Sequence, residues 1–253
     1  MLTIKTRGRE LNIPGHIDEL SPEQYERFLI LSLALTNGDI DLAAFRQLWL
    51  SFLIGMTDYS ILLPEYVAEL DAALPKLDGF FDGSVPATNT VRNLLPEYHG
   101  FRGPSDCLNG FPFGKFIECL TVLTEISGDV SESEYVDGLT HVARVVYEIP
   151  SEKEVPGLLL IHAPRLIANV WSLIHSGPLV INGASIDFRI LFHGSGSGPD
   201  DHTGWTGVTY EIAEKGLFGT VKEVEATDLW AVLIYLYKCK FEYNHEIKKM
   251  NQT

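Results

Sequence analysis

FGKFIECLTVLTEISGDVSESEYVDGLTHVARVV, residues 113–146, is the stretch that decides the fold class. From Phe113 to Ile126 the apolar residues recur at helical spacing, and Ser131-x-x-Glu134 is a capping box that opens a second helix reaching Val146. Two helices joined by a short polar turn make an antiparallel pair, so the middle of the chain is helical and not a sheet.

The same logic applies upstream. In HIDELSPEQYERFLILSLAL, Ser21 is an N-cap, Pro22 occupies the first helical position and Gln24 completes a second capping box, which predicts a helix over 22–35. Thr36-Asn37-Gly38 ends it. Leu42, Phe45, Leu48, Trp49 and Phe52 then repeat at helical spacing until Gly55, so the chain opens with a helical hairpin. Before it, Thr3 to Ile13 alternates around Arg7-Gly8 and reads as a small β-hairpin or extended arm. Residues 58–105 are interrupted by Pro64, Pro75, Pro86, Pro96 and Pro104. They predict one short helix near 64–73 and otherwise loop or edge strand.

Downstream, Pro156 to His175 is an apolar helix that Pro164 must start, kink or divide. The period then switches. Val180, Ile186, Phe188 and Ile190 are strand formers, and Asn182-Gly183 is a type I′ turn signal, giving a β-hairpin over about 178–192. A helix over 205–215 ended by Gly216 and a longer final helix capped by Thr227 or Asp228 complete the chain. The expected fold is mainly α with a small β component. Its organisation is a helical body over 1–192, a Gly/Ser/Asp linker over 193–204 and a helical lobe over 205–253, or all of these packed as one compact domain.

The 253 residues carry a net charge of −15, which repels nucleic-acid backbones and anionic lipid surfaces alike. Cys107, Cys119 and Cys239 are odd in number and widely spaced, so neither a disulfide framework nor a structural zinc site is encoded, and a reducing cytosol fits. The longest apolar run, Leu229 to Tyr237, is about half of the ~18 residues a membrane span requires, and nothing marks the chain for export.

HGSGSGPDDHTGW, residues 193–205, holds the most tempting chemistry. A phosphate cradle fails because no Lys or Arg lies between Arg189 and Lys215. A serine-hydrolase elbow fails because the third position of Gly194-Ser195-Gly196-Ser197-Gly198 is glycine. His193, Asp200, Asp201 and His202 could ligate a divalent metal, but preorganising them across a glycine stretch is entropically costly, and a solvated linker is the favoured reading. His162 and His175 flank an apolar helix and read as packed residues. Glu132/Glu134 and Glu223/Glu225, two apart, read as solvent-side charges. No catalytic residue, cofactor or metal site is therefore expected.

Two segments carry a resemblance. Gly103, Pro104, Asp106, Leu108, Asn109, Phe113, Gly114, Phe116 and Ile117 form one. Gly204, Trp205, Gly216, Phe218, Gly219, Thr227, Asp228, Leu229 and Trp230 form the other. Together they resemble a family of tailed-phage and prophage morphogenesis proteins encoded near tail-tube and tape-measure genes. That resemblance implies a non-enzymatic tail assembly chaperone for the tape-measure or another tail protein, in the host cell cytoplasm or the virion, with a virion structural subunit as the alternative. The residues alone leave one further alternative, a metal-dependent enzyme using the 193–202 loop. Charge, apolar run length and the motif tests predict no cofactor, no nucleic-acid partner and no membrane, and leave self-association open. Trp230, Tyr235, Tyr237, Phe241 and Tyr243 are dense for one helix, and the candidate partner-binding set is Trp205, Phe218, Trp230, Tyr235, Tyr237 and Phe241.

Overall fold

The computed structural model describes residues 1–6, 9–55, 68, 71–80, 90–192 and 203–250. The fold is mainly α with a small β component, its strands confined to three antiparallel two-stranded hairpins among the described residues. The chain divides into two compact units, Met1–Ala87 and Thr88–Thr253.

In the first unit, β1 (Leu2–Thr6) pairs antiparallel with β2 (Arg9–Ile13), matching Leu2 with Ile13 and Thr6 with Arg9. The expected turn at Arg7-Gly8 lies outside the described residues. The helix α1 (Pro22–Thr36) begins as its sequence dictates: the Ser21 side chain accepts from the Gln24 amide while the Gln24 side chain accepts from the Ser21 amide. The helix α2 (Leu42–Leu53) is capped by Asp41 through the Ala44 amide and ends before Gly55, whose φ of +70° suits glycine. Phe28, Phe45, Trp49 and Phe80 form the buried centre, with Phe28 set edge-on to Phe45 and Trp49 at centroid distances of 5.7 and 5.4 Å. Leu42 lies at the exposed edge of this face. The helix expected near 64–73 lies largely outside the described residues, and Leu74–Phe80 forms a 3₁₀ segment.

The second unit contains the candidate site. A small hairpin, β3 (Glu97–Tyr98) and β4 (Phe101–Arg102), precedes α3 (Phe113–Ile126) and α4 (Glu132–Tyr147). Ser131 and Glu134 form the expected capping box, and their mutual hydrogen bonding holds the Glu134 carboxyl below its ordinary range. The helix α5 (Leu159–Ser176) contains Pro164 without being started or divided by it. Proline is tolerated there because it falls early in a helix whose first bonds already run i to i−3, Leu159 to Pro156 and Leu160 to Gly157.

β5 (Leu179–Ile181) and β6 (Ala184–Ile186) close on Asn182 and Gly183, both at positive φ (50° and 81°), the geometry of the expected type I′ turn. This hairpin is shorter than the predicted 178–192. Phe188–Leu191 turns into a 3₁₀ helix because the Asp187 side chain accepts from the Arg189 amide and caps it. Then come α6 (Gly204–Glu214), α7 (Val221–Ala226) and α8 (Leu229–Met250). The short α7 was not anticipated. Glu223, read as a solvent-side charge, closes a capping box on Thr220 that starts it.

The predicted boundary at 193–204 is not where the chain divides. Gly204 already belongs to α6, and α7 and α8 both pack on α3, so the residues beyond the loop share a core with residues 113–126. Residues 193–202, with His193, Asp200, Asp201 and His202, lie outside the described residues.

Candidate functional site

Residues 111–113 and 227–229, far apart in sequence, meet in space. The Phe113 amide donates to the Thr227 carbonyl (2.8 Å) and the Leu229 amide to the Phe111 carbonyl (2.9 Å), forming an isolated antiparallel bridge between Pro112 and Asp228. Asp228 works twice. Its Oδ1 accepts from the Ala231 amide, capping α8, and its Oδ2 accepts from the Gly110 amide at 2.7 Å. The Trp230 indole donates to the Cys107 carbonyl at 2.8 Å. Gly114 lets α7 lie close: a Cβ there would stand 2.8 Å from the Glu225 Cβ and 3.1 Å from its backbone oxygen.

This clasp holds an unusual backbone. Cys107 and Leu108 are consecutive non-glycine residues at positive φ (54° and 57°). Such a conformation persists only when its surroundings over-determine it. Here the Cys107 amide donates to the Val91 carbonyl, the Val91 amide donates to the Cys107 sulfur, and the Leu108 side chain is fully buried.

Below the same loop lies a buried polar network. His162 Nε2–H donates to Asn93 Oδ1 (2.8 Å), while Asn93 Nδ2 donates to the Pro104 carbonyl and the Asn93 amide to Asp106 Oδ1. The tautomer follows from the amide, since its NH₂ group is already committed to Pro104. The Tyr147 hydroxyl donates to the Leu95 carbonyl (2.7 Å). Burial, reinforced by the Arg165 charge, pushes the His162 imidazole down to about 4, so it is neutral at pH 7. At 3% exposure it is a packed residue that meets no substrate.

The opposite side of α8 is open. Trp171 from α5, Phe192 after the 3₁₀ turn and Trp205 from α6 stand edge to face, with centroids 5.2 Å (Trp171–Phe192) and 6.3 Å (Phe192–Trp205) apart. With Tyr235 and Tyr243 of α8 they line a groove of about 750 Å³, within the range of ligand sites. Val208 and Ile212 extend its apolar wall, and Glu211, Lys215 and Lys240 supply its charges. The Tyr235 hydroxyl is raised above its ordinary range, first by burial and then by its hydrogen bond with Cys239.

The predicted partner-binding set therefore separates. Trp205 and Tyr235 line the groove, and Phe218 packs edge-on to Tyr235 at 5.5 Å. Trp230 is a core residue, 9% exposed and tied to Cys107. Tyr237 turns to the other flank against Phe188, with Phe241 stacked on it at 6.0 Å. The lining residues Trp171, Phe192, Lys215 and Lys240 were missed, and Tyr243 was noted only among the aromatic residues of the final helix. A signal existed in the i, i+4, i+8 series Tyr235, Cys239, Tyr243, but Tyr237 and Phe241 share the same spacing, and period alone does not say which stripe is covered.

Burial drives the Cys119 thiol up to about 12 and raises Cys107 as well, so neither offers a thiolate at neutral pH. Among the described residues no group of three or more His, Cys, Asp or Glu side chains could hold a metal ion, and no helix is long and apolar enough to cross a membrane. Compared with protein-family models, with curated proteins and with solved structures, the chain matches none, so clasp and groove stand on their own residues.

Proposed function

We propose that this is a non-enzymatic protein of phage tail morphogenesis, an assembly chaperone that holds an apolar helical segment of a tape-measure or other tail protein before assembly. The observation that carries this reading is the aromatic groove of Trp171, Phe192, Trp205, Tyr235 and Tyr243. Large, stiff aromatic rings offer contact area at low entropic cost and are favoured at interfaces over other surface residues. A helix lying across such a groove inserts anchor side chains from one face. The net charge of −15 keeps a complex of this kind dispersed while its apolar surfaces are masked. The resemblance of the two clasp segments to phage morphogenesis proteins supplies the biological setting, host cytoplasm or virion.

Co-expression with a tape-measure fragment, followed by gel filtration, tests the reading. The fragment is expected to be soluble and to co-elute only with the chaperone, and a Tyr243→Ala variant, at a 54% exposed ring, is expected to lose about tenfold in affinity while keeping its melting temperature. A fragment equally soluble alone, with no complex on the column, overturns the proposal. Abundance of the protein in purified virions would assign it to the particle's structure instead.

A further inference from the structure

The groove's charges are unevenly used. Lys215, just past the end of α6, and Lys240, in the middle of α8, both line it, and neither forms an ion pair among the described residues. Lys240 sits 5.7 Å above the Tyr243 ring, a contact that positions an ammonium without neutralising it. Among the described residues Glu211 is the one carboxylate on the lining. The surrounding helix leans the same way. Over Leu229–Met250, Lys238, Lys240, Lys248 and Lys249 face only Glu242 and Glu246, a local excess of cations in a chain whose net charge is −15.

We propose that the groove's occupant is an apolar helical segment that carries an acidic side chain beside its anchors, the carboxylate meeting Lys215 and Lys240 while the anchors pack on Trp205, Tyr235 and Tyr243. This rests on the reading of the groove as the partner site and adds the partner's chemistry. The overall negative charge does not oppose it at physiological salt, because fields beyond about 8–10 Å are screened and contact charges decide the preference. An apolar segment flanked by lysines meets two ammonium groups and one carboxylate, a net repulsion at close range. The selectivity thus arises as much from rejecting basic segments as from accepting acidic ones.

The experiment uses the full chain and two fluorescein-labelled amphipathic peptides with the same Leu/Phe face, one flanked by glutamates and one by lysines, read by anisotropy at low and high ionic strength. The glutamate peptide is expected to bind about tenfold more tightly at low salt, with the gap narrowing as salt rises. A Lys215→Glu, Lys240→Glu variant is expected to reverse the order. Lys215 is exposed and Lys240 half-buried, and an unchanged melting temperature verifies that the variant is folded. Equal binding of the two peptides, or a preference that survives the charge reversal, overturns the acidic-partner proposal while leaving the groove as a docking site. Failure of both peptides to bind overturns the docking site as well.

Discussion

The two sides of α8 are built on opposite terms. Its first turns are clasped: Asp228 bonds both its own helix and Gly110, Leu229 bonds Phe111, and Trp230 is sealed against Cys107. Farther along, Tyr235 and Tyr243 face a groove instead of a partner, and Tyr243 is 54% exposed. Both places carry aromatic residues, yet only one of them is a surface. The difference lies in hydrogen bonding. Trp230 places its one donor on a backbone carbonyl and so completes a core, whereas the groove rings pack edge to face on one another along an open groove.

The sharpest way to break that contrast is Trp230→Ala. Removing a buried indole and orphaning the Cys107 carbonyl is expected to cost about 3–5 kcal/mol, read as a fall in urea midpoint with little change in slope, whereas Tyr243→Ala is expected to stay within about 0.5 kcal/mol. Equal effects from the two would erase the distinction.

Acid tests the network beneath the clasp. In the folded protein the His162 imidazole is held down to about 4 by burial and the Arg165 charge, below the usual 6.5, so the unfolded chain takes up a proton that the native ring refuses. Its share of stability is complete above pH 6.5, falls as pH drops toward 4 and is gone below it, up to ~3 kcal/mol. Urea unfolding across that window compares the wild type with His162→Gln, which retains a donor for Asn93 but cannot titrate. A decline as steep in the variant would acquit the histidine.

A smaller effect isolates the double acceptor. Asp228→Ala is expected to cost about 1–2 kcal/mol through the lost cap and the released Gly110 amide. Asp228→Asn, with one acceptor oxygen in place of two, is expected to recover about half. Full recovery by asparagine would mean that only the cap matters, and the contact to Gly110 would drop out of the account of the clasp.

Much of this was legible locally. The capping boxes at Ser21 and Ser131, the Asn182-Gly183 turn and the ends of α3 follow from residues within one or two helical turns of each other. The misses are of two kinds. The extended strand reading of Phe188 and Ile190 gave way to a 3₁₀ turn because a single side chain, Asp187, offered a competing hydrogen bond. The groove was half seen: Trp205 and Tyr235 were named, but Trp171, Phe192 and Lys215 come from elements whose meeting no local pattern records.

The sequence by itself determined most of the helices and where they start, because caps, turns and apolar period act over a few residues. Only the tertiary structure decided that Asp228 bridges to Gly110, that Trp230 belongs to the core, and that the chain divides near Ala87. The reason is physical: a helix with apolar residues on several sides has more than one face to bury, and the choice is made by what packs against it. On α8 that choice covers Trp230 and leaves the face of Tyr235 and Tyr243 open.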